Sequence, residues 1–331
     1  MQKIVLPESN VKISKLTFGA WAIGGWLWGG SDTKDAIKAL ETSIAMGMTT
    51  IDTAPVYGFG QSEELVGKVI KGKRDKVEIL TKFGLRWDIS SKQVHIKDTT
   101  DNQGKKISVY RLGSKKSVIK ECEDCLKRLG TDYIDLFQQH WPEDHTPVEE
   151  TMEAMEILKE QGKIRAGGVS NYSVAQMENA DKWFKLSSNQ VPYSMVRRDI
   201  ENDLVPYSIK NNKAIIVYSP LQRGILTGKI TSDYKFNKGD SRPSTPFYKE
   251  PNLSAINQFL QKIKPVADNR NITLSQLVIH WTMIQPGISC VLVGARNETQ
   301  VKENVKAMEI SLSEEELKII NTELNQLRLS L

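Results

Sequence analysis

The stretch "TIDTAPVYGFG", Thr50 to Gly60, reads as the end of a buried strand that stops on a carboxylate, Asp52. A phenol, Tyr57, follows five residues later in a turn marked by Pro55, Gly58 and Gly60. Seven more strand candidates lie along the chain: "KLTFG" near Leu16, "VEILTK" to Lys82, "YIDLFQQH" to His140, "IRAGGVS" to Ser170, "SSNQ" to Gln190, "AIIVYS" around Tyr218 and "ISCVLVG" to Gly294. Amphipathic helical stretches separate them, among them "SDTKDAIKALETSIAMG" and "TPVEETMEAMEILKEQG", which open on Ser/Asp or Thr-Pro and stop at a glycine. Alternating strands and helices signal a parallel α/β architecture, and eight pairs in 331 residues fit a single-domain (β/α)8 barrel over residues 1–331. A doubly wound sheet fits less well, because the glycines of "GAWAIGGWLWGG" lack the G-x-G-x-x-G spacing of a dinucleotide fingerprint.

Two connections are too long for turns: Phe83 to Gly113 after the third strand, with the polar run "DTTDNQGKK", and Pro220 to about Pro251 after the seventh. Loops of that length usually carry function. Two helical segments, "TQVKENVKAM" and "SEEELKIINTELNQL", follow the eighth strand, the second an extra C-terminal helix. The net charge of +5, from 45 basic and 40 acidic residues interspersed, describes a mildly basic surface and does not point to nucleic acid. There is no run of about 18 apolar residues and no apolar signal core near the N-terminus, so the expectation is a cytoplasmic protein away from membranes. The three cysteines do not form a disulfide framework; Cys122 and Cys125 share one predicted helix with no second ligand pair nearby.

In such a barrel the C-terminal ends of all strands converge on one face. Asp52, Lys82 and His140 each close a strand, and Tyr57 sits just beyond the second. Singly, each is what any strand end offers a loop; together they form a set. A phenol has a pKa near 10 and is a poor proton donor or acceptor at neutral pH. A neighbouring ammonium is expected to lower that pKa, while a carboxylate holds the ammonium charged and in place. Histidine at the next strand end can donate to the same oxygen and polarise a carbonyl. The set suits proton transfer at a carbonyl or alcohol. A metal hydrolase fits poorly: of four histidines none stands in H-x-H or H-E-x-x-H, His95 and His145 fall in predicted loops, and His280 falls in a predicted helix. "RGILTGK", Arg223 to Lys229, lacks P-loop spacing, but a glycine-rich basic loop suits a pyrophosphate.

The chain resembles the aldo-keto reductases almost from end to end. The motifs that carry the resemblance are "TIDTAPVYGFGQSEELVGK", "TKFGLRW", "DLFQQHWPE", "GKIRAGGVSNYS", "VYSPLQRGILTGK" and "VGARNETQVKEN", in that order. Within the superfamily it is most similar to bacterial reductases related to the β-subunits of voltage-gated potassium channels. The resemblance implies an NADP(H)-dependent reduction of small aldehydes and ketones without a metal, NADH being the alternative cofactor. It makes Tyr57 the general acid, Lys82 and Asp52 its tuners and His140 the residue that orients the carbonyl. It assigns Ser170, Asn171 and Gln190 to the carboxamide, and Tyr218 to stacking on the nicotinamide beside Trp21. Ser219, Leu221, Arg223, Gly224 and Lys229 belong to the loop over the pyrophosphate, closed by Arg242. Gly294, Arg296, Gln300, Glu303 and Asn304 meet the adenosine. Many relatives carry lysine at the position of Gly294 and arginine at that of Gln300, so Arg296 and Lys229 are the candidates to meet a 2′-phosphate.

Trp21, Trp28, Trp87 and Trp141 follow strand ends and are expected to wall a substrate pocket. The long C-terminal loop of some relatives is missing, which points to an open site. The partner implied is a small carbonyl compound, and a monomer is the expected state. A competing reading is a regulatory subunit that senses the nicotinamide nucleotide and turns over slowly; the complete set of four favours the enzyme.

Overall fold

The eight strand candidates become the eight staves of one closed barrel. The computed structural model describes residues 1–92 and 94–331. An antiparallel pair, β1 (Lys3–Val5) and β2 (Lys12–Ser14), opens the chain, and β3 (Leu16–Gly19), β4 (Thr50–Asp52) and β5 (Glu78–Phe83) enter the barrel. β6 (Leu85–Arg86), β7 (His95–Thr100) and β8 (Lys106–Arg111) leave it as a side sheet. β9 (Ile134–Gln139), β10 (Ile164–Ser170), β11 (Ser188–Pro192), β12 (Ala214–Tyr218) and β13 (Ile288–Gly294) complete it. All eight barrel pairings are parallel and in chain order, with β13 closing on β3. Asp52 ends β4, whereas Lys82 lies one residue inside the end of β5 and His140 one residue beyond β9.

The helices α1 (Thr33–Ala45), α2 (Gln61–Ile70), α3 (Lys115–Leu129), α4 (Val148–Glu160), α5 (Val174–Ala180) and α6 (Leu204–Lys210) each follow a strand. α7 (Asn252–Asn269) and α8 (Leu274–Met283) precede β13; α9 (Glu298–Val305) follows it, and α10 (Glu314–Gln326) packs on α7. Side chains start several of them: Asp32 accepts from the Asp35 N–H, and Ser173, Thr273 and Ser313 each form a reciprocal cap with the Gln or Glu three residues on. The barrel interior is solid. Leu80, Leu136, Ala166, Ile216 and Leu292 pack there with Leu6, Val11 and Ile13 of the N-terminal hairpin, which plugs the end where the strands begin. Chemistry is therefore confined to the opposite end.

The segment 83–113 departs from its reading as a loop. β8 pairs antiparallel with both β6 and β7, so His95 opens a strand and does not lie in a loop. The polar run is the end of β7, a tight turn and the start of β8: in the turn the Asp101 carboxylate accepts from the N–H groups of Gln103 and Lys105, and Gly104 adopts φ +83°. Most of β7 is exposed, which hides it from a reading based on apolar runs.

One buried acid backs the β5 end of the barrel. The Glu121 carboxylate accepts from the Gly84 N–H at 2.9 Å and the Ser117 hydroxyl at 3.0 Å. Burial pushes its pKa up to about 7, against the pull of those hydrogen bonds and of Arg86. A carboxyl whose folded pKa lies above its unfolded value stabilises fully below the unfolded value, and that stability is lost as pH rises through 7. Glu121→Gln keeps an acceptor for Gly84 and removes the charge. Its unfolding free energy in urea is expected to match wild type at pH 4 and to exceed it at pH 8 by roughly 3 kcal/mol. Equal stabilities at both pH values would refute this.

Candidate active site

Strand ends deliver three members of the site and one turn delivers the fourth. Lys82 is fully buried; its Nζ lies 2.6 Å from Asp52 Oδ1, 2.9 Å from the Thr53 carbonyl and 3.4 Å from the Tyr57 hydroxyl. The Tyr57 turn is held by its N–H on the Ala54 carbonyl and by its own carbonyl, which accepts from the Ser62 N–H. Gly58, at φ +69°, and Gly24 let two loops touch: a Cβ at Gly24 would lie 2.7 Å from the Tyr57 carbonyl, and one at Gly58 would strike Gly24. The Tyr57 ring stacks near Trp21 at 6.1 Å and meets His140 edge-on at 5.8 Å. His140 Nδ1 is buried with no partner among the described residues.

The electrostatics correct one expectation. The Tyr57 pKa is not lowered despite the neighbouring ammonium; burial raises it well above 10, and the Asp52 charge raises it further. The distances fit this, since the ammonium lies 2.6 Å from Asp52 and 3.4 Å from the phenol, and the carboxylate offsets much of its pull on the phenolic proton. Burial also pulls Lys82 down against Asp52, and it holds His140 well below its usual range, helped by the charges of Lys82 and Arg111. The site thus holds a protonated phenol beside a neutral imidazole.

Above this group lies a cavity of about 660 Å3. Every residue expected to touch a cofactor lines it: Trp21, Asp52, Ser170, Asn171, Gln190, Tyr218, Ser219, Leu221, Arg223, Gly224, Lys229, Arg242, Gly294, Arg296, Gln300, Glu303 and Asn304. The Asn171 amide donates to Ser170 Oγ at 3.0 Å and accepts from the Tyr218 hydroxyl at 2.9 Å. Gln190 Nε2 donates to Asp52 Oδ2 at 2.7 Å, so the amide also braces the carboxylate. Arg223 sits 4.9 Å and 5.0 Å from the ring centres of Trp21 and Trp28, and Arg242, paired with buried Asp240, lies 5.1 Å from Trp28. Arg242 Nη1 donates to the Arg223 carbonyl at 3.1 Å, tying the strap 219–245 over the cavity.

Among the described residues, the buried donors Arg223 Nε, Trp21 Nε1 and Trp28 Nε1 have no partner, and neither does Glu303 Oε1. A row of cations and orphaned donors at one end, with an amide pair and a tyrosine ring at the other, fits an elongated dianionic ligand with a flat polar ring, as a nicotinamide dinucleotide has. No three His, Cys, Asp or Glu side chains cluster as a metal site among the described residues.

Trp21, Trp28 and Trp141 line the cavity, but Trp87 does not. It packs on Phe59 at 5.5 Å and beneath Arg128 at 5.9 Å, outside the pocket it was expected to wall. Its place is taken by Trp26 and by Ile96, Lys97, Val109 and Arg111 of the side sheet. The i, i+2 spacing of Val109 and Arg111 in "KISVYR" was a usable signal, because alternate strand residues share a face.

Comparison with known proteins agrees with this geometry. The Aldo/keto reductase family model matches residues 15–324. The chain is 39% identical over 328 residues to the aldo-keto reductase YhdN of Bacillus subtilis, covering 97% of this chain and 93% of that one. It is 34% identical over 320 residues to an NADH-specific methylglyoxal reductase of Escherichia coli, covering 95% of each. The solved glycerol dehydrogenase AKR11B4 from Gluconobacter oxydans superposes with a TM-score of 0.87 at 35% identity, covering 98% of this chain and 95% of that one. A closed parallel barrel with this site at the ends of its strands, matched over nearly its whole length, belongs to the aldo/keto reductase family of oxidoreductases.

Proposed function

We propose that the chain reduces small aldehydes and ketones with NADPH as the preferred cofactor, and that Tyr57 is the proton donor. The observation that carries the reading is the row formed by buried Asp52 and Lys82 and half-buried Tyr57, with neutral His140 against the phenol. When bound, the nicotinamide supplies a hydride to the carbonyl carbon. His140 donates a hydrogen bond to the carbonyl oxygen and orients it. Tyr57 gives its proton to that oxygen as it gains charge; the phenolate left behind is stabilised by Lys82 at 3.4 Å and regains a proton from water. Burial serves this direction, because a phenol kept protonated is the acid that reduction needs. Ser170, Asn171 and Tyr218 hold the nicotinamide end, and Arg223, Lys229 and Arg242 hold the pyrophosphate.

Preference for NADPH rests on Arg296 and Lys229, the cations beside the start of α9. Neither has a short carboxylate partner among the described residues, Lys229 reaching Glu303 only at 4.0 Å. We further place the protein in the cytoplasm as a monomer. The deciding experiment mixes protein with one equivalent of NADPH or of NADH, adds a reactive aromatic aldehyde and follows nicotinamide absorbance in a single turnover. Oxidation within seconds, faster with NADPH, is the expected result. Tight binding without oxidation across a carbonyl panel would replace the reductase with a nucleotide sensor.

A further inference from the structure

The cavity has two chemically different ends, and only one of them is accounted for by the cofactor. The other is walled by the side sheet, where Arg111 and Lys97 face the pocket among Trp26, Ile96, Val109 and Trp141. Neither cation forms an ion pair with a carboxylate among the described residues, although ion pairs are formed by many of the surface lysines and arginines. Arg111 is fixed in place. Its backbone pairs with Leu85, Nη1 donates to the Pro142 carbonyl at 3.1 Å, and the guanidinium lies 5.6 Å from the Trp141 ring centre. Nε is buried and has no partner. Pro142 and Trp141 follow His140 directly, so this cation stands next to the residue that orients the carbonyl.

Lys97 reaches the same wall through a backbone irregularity. His95 pairs with Tyr110 and Lys97 with Val109, which leaves Ile96 as an extra residue in β7. Consecutive strand residues ordinarily point to opposite faces, yet Ile96 and Lys97 both line the cavity. A bulge re-aims a side chain in this way and is common beside active sites. The Lys97 ammonium rests 4.6 Å from the Trp26 ring centre. The sheet is docked firmly enough for the placement to hold: Trp26 Nε1 donates to Thr99 Oγ1 at 3.1 Å and Asn102 Nδ2 to the Gly24 carbonyl at 2.7 Å.

A half-buried arginine and an exposed lysine, neither with a carboxylate partner and both beside aromatic rings, carry a field that suits an anion, and a guanidinium is shaped for a carboxylate or phosphate. We propose that Arg111 and Lys97 form an anion subsite, and that the substrates preferred by this chain are carbonyl compounds that carry a carboxylate or phosphate remote from the reacting carbonyl. The inference rests on the carbonyl-reductase reading and narrows it from small aldehydes in general to charged ones.

The test compares matched pairs with the NADPH-loaded protein: succinic semialdehyde against butanal, and glyceraldehyde 3-phosphate against glyceraldehyde. The expected kcat/KM ratio favours the anionic member by about tenfold or more in at least one pair, the scale of a charge-assisted hydrogen bond, with the gain in KM. A preference confined to one pair identifies the anion as carboxylate or phosphate. Arg111→Met and Lys97→Met each lower the ratio by about tenfold, Arg111→Lys restores part of it, and Lys318→Met, exposed on α10, leaves it alone. Calorimetry of 4-hydroxybutyrate against 1-butanol on the NADP-loaded protein reads the same preference without turnover. A wild-type ratio near one for both pairs overturns the subsite while leaving the reductase, and this holds whether or not a variant folds. So does a ratio unchanged in folded Arg111→Met/Lys97→Met protein. Absence of all reduction with the binding preference intact overturns the reductase and supports the subsite.

Discussion

Tyr57→Phe is expected to lower kcat for aldehyde reduction by about a thousandfold or more, within or beyond the usual span of general acid catalysis, while the affinity for NADPH stays within a few fold. The ring remains, so packing on Trp21 and His140 is preserved, and only the hydroxyl at 3.4 Å from Lys82 is lost. Rates in single turnover and cofactor titration by fluorescence read the two properties separately. Loss of both together would mean that Tyr57 builds the site without donating the proton. The raised pKa of Tyr57 adds a second signature: reduction should show no fall from loss of the phenolic proton between pH 6 and 9, since that proton leaves only well above 10.

Lys82→Met should damage stability and catalysis together, and a second substitution should separate the two. Removing the ammonium leaves Asp52 buried with Gln190 as its remaining donor and no cation at contact. An uncompensated buried charge costs about 3–5 kcal/mol, so the variant should unfold at markedly lower urea. The double variant Lys82→Met/Asp52→Asn removes both charges and should recover most of that stability. It should not recover activity, because nothing then compensates the phenolate formed on Tyr57, and a loss of about a hundredfold or more in kcat is expected to persist. A double variant as unstable as the single would show that Lys82 acts by packing, and recovered turnover would remove it from the chemistry.

Much of this is legible in the sequence. Most of the eight strands are visible in the sequence because they are short apolar runs between helical stretches, and Asp52, Lys82 and His140 are visible because they sit where such runs stop on polar residues, with Tyr57 in the turn just beyond. The side sheet is not, since His95 to Thr100 is exposed along nearly its whole length and offers no apolar period. Trp87 was misplaced because adjacency to a strand end does not say which way the chain leaves it; Gly84, at φ +91°, turns it toward Phe59. The direction of the Tyr57 shift depends on 2.6 Å against 3.4 Å, a difference that residue order cannot express. Similarly, Gln190 as a brace for Asp52 spans 138 positions in the chain and appears only once β4 and β11 face each other across the barrel.

The side sheet is one contiguous segment, Leu85 to Arg111, whereas the proton-transfer residues are scattered over β4, the 54–60 turn, β5 and the end of β9. Descent can therefore treat them as separate inheritances. Insertions, deletions and recombination within a single short block can replace the side-sheet part of the outer wall in one event, leaving the barrel register and its reactive end undisturbed. Diversity in what such proteins act upon should accumulate there first, and a graft of that block alone is the smallest unit of sequence by which one member could hand its choice of substrate to another.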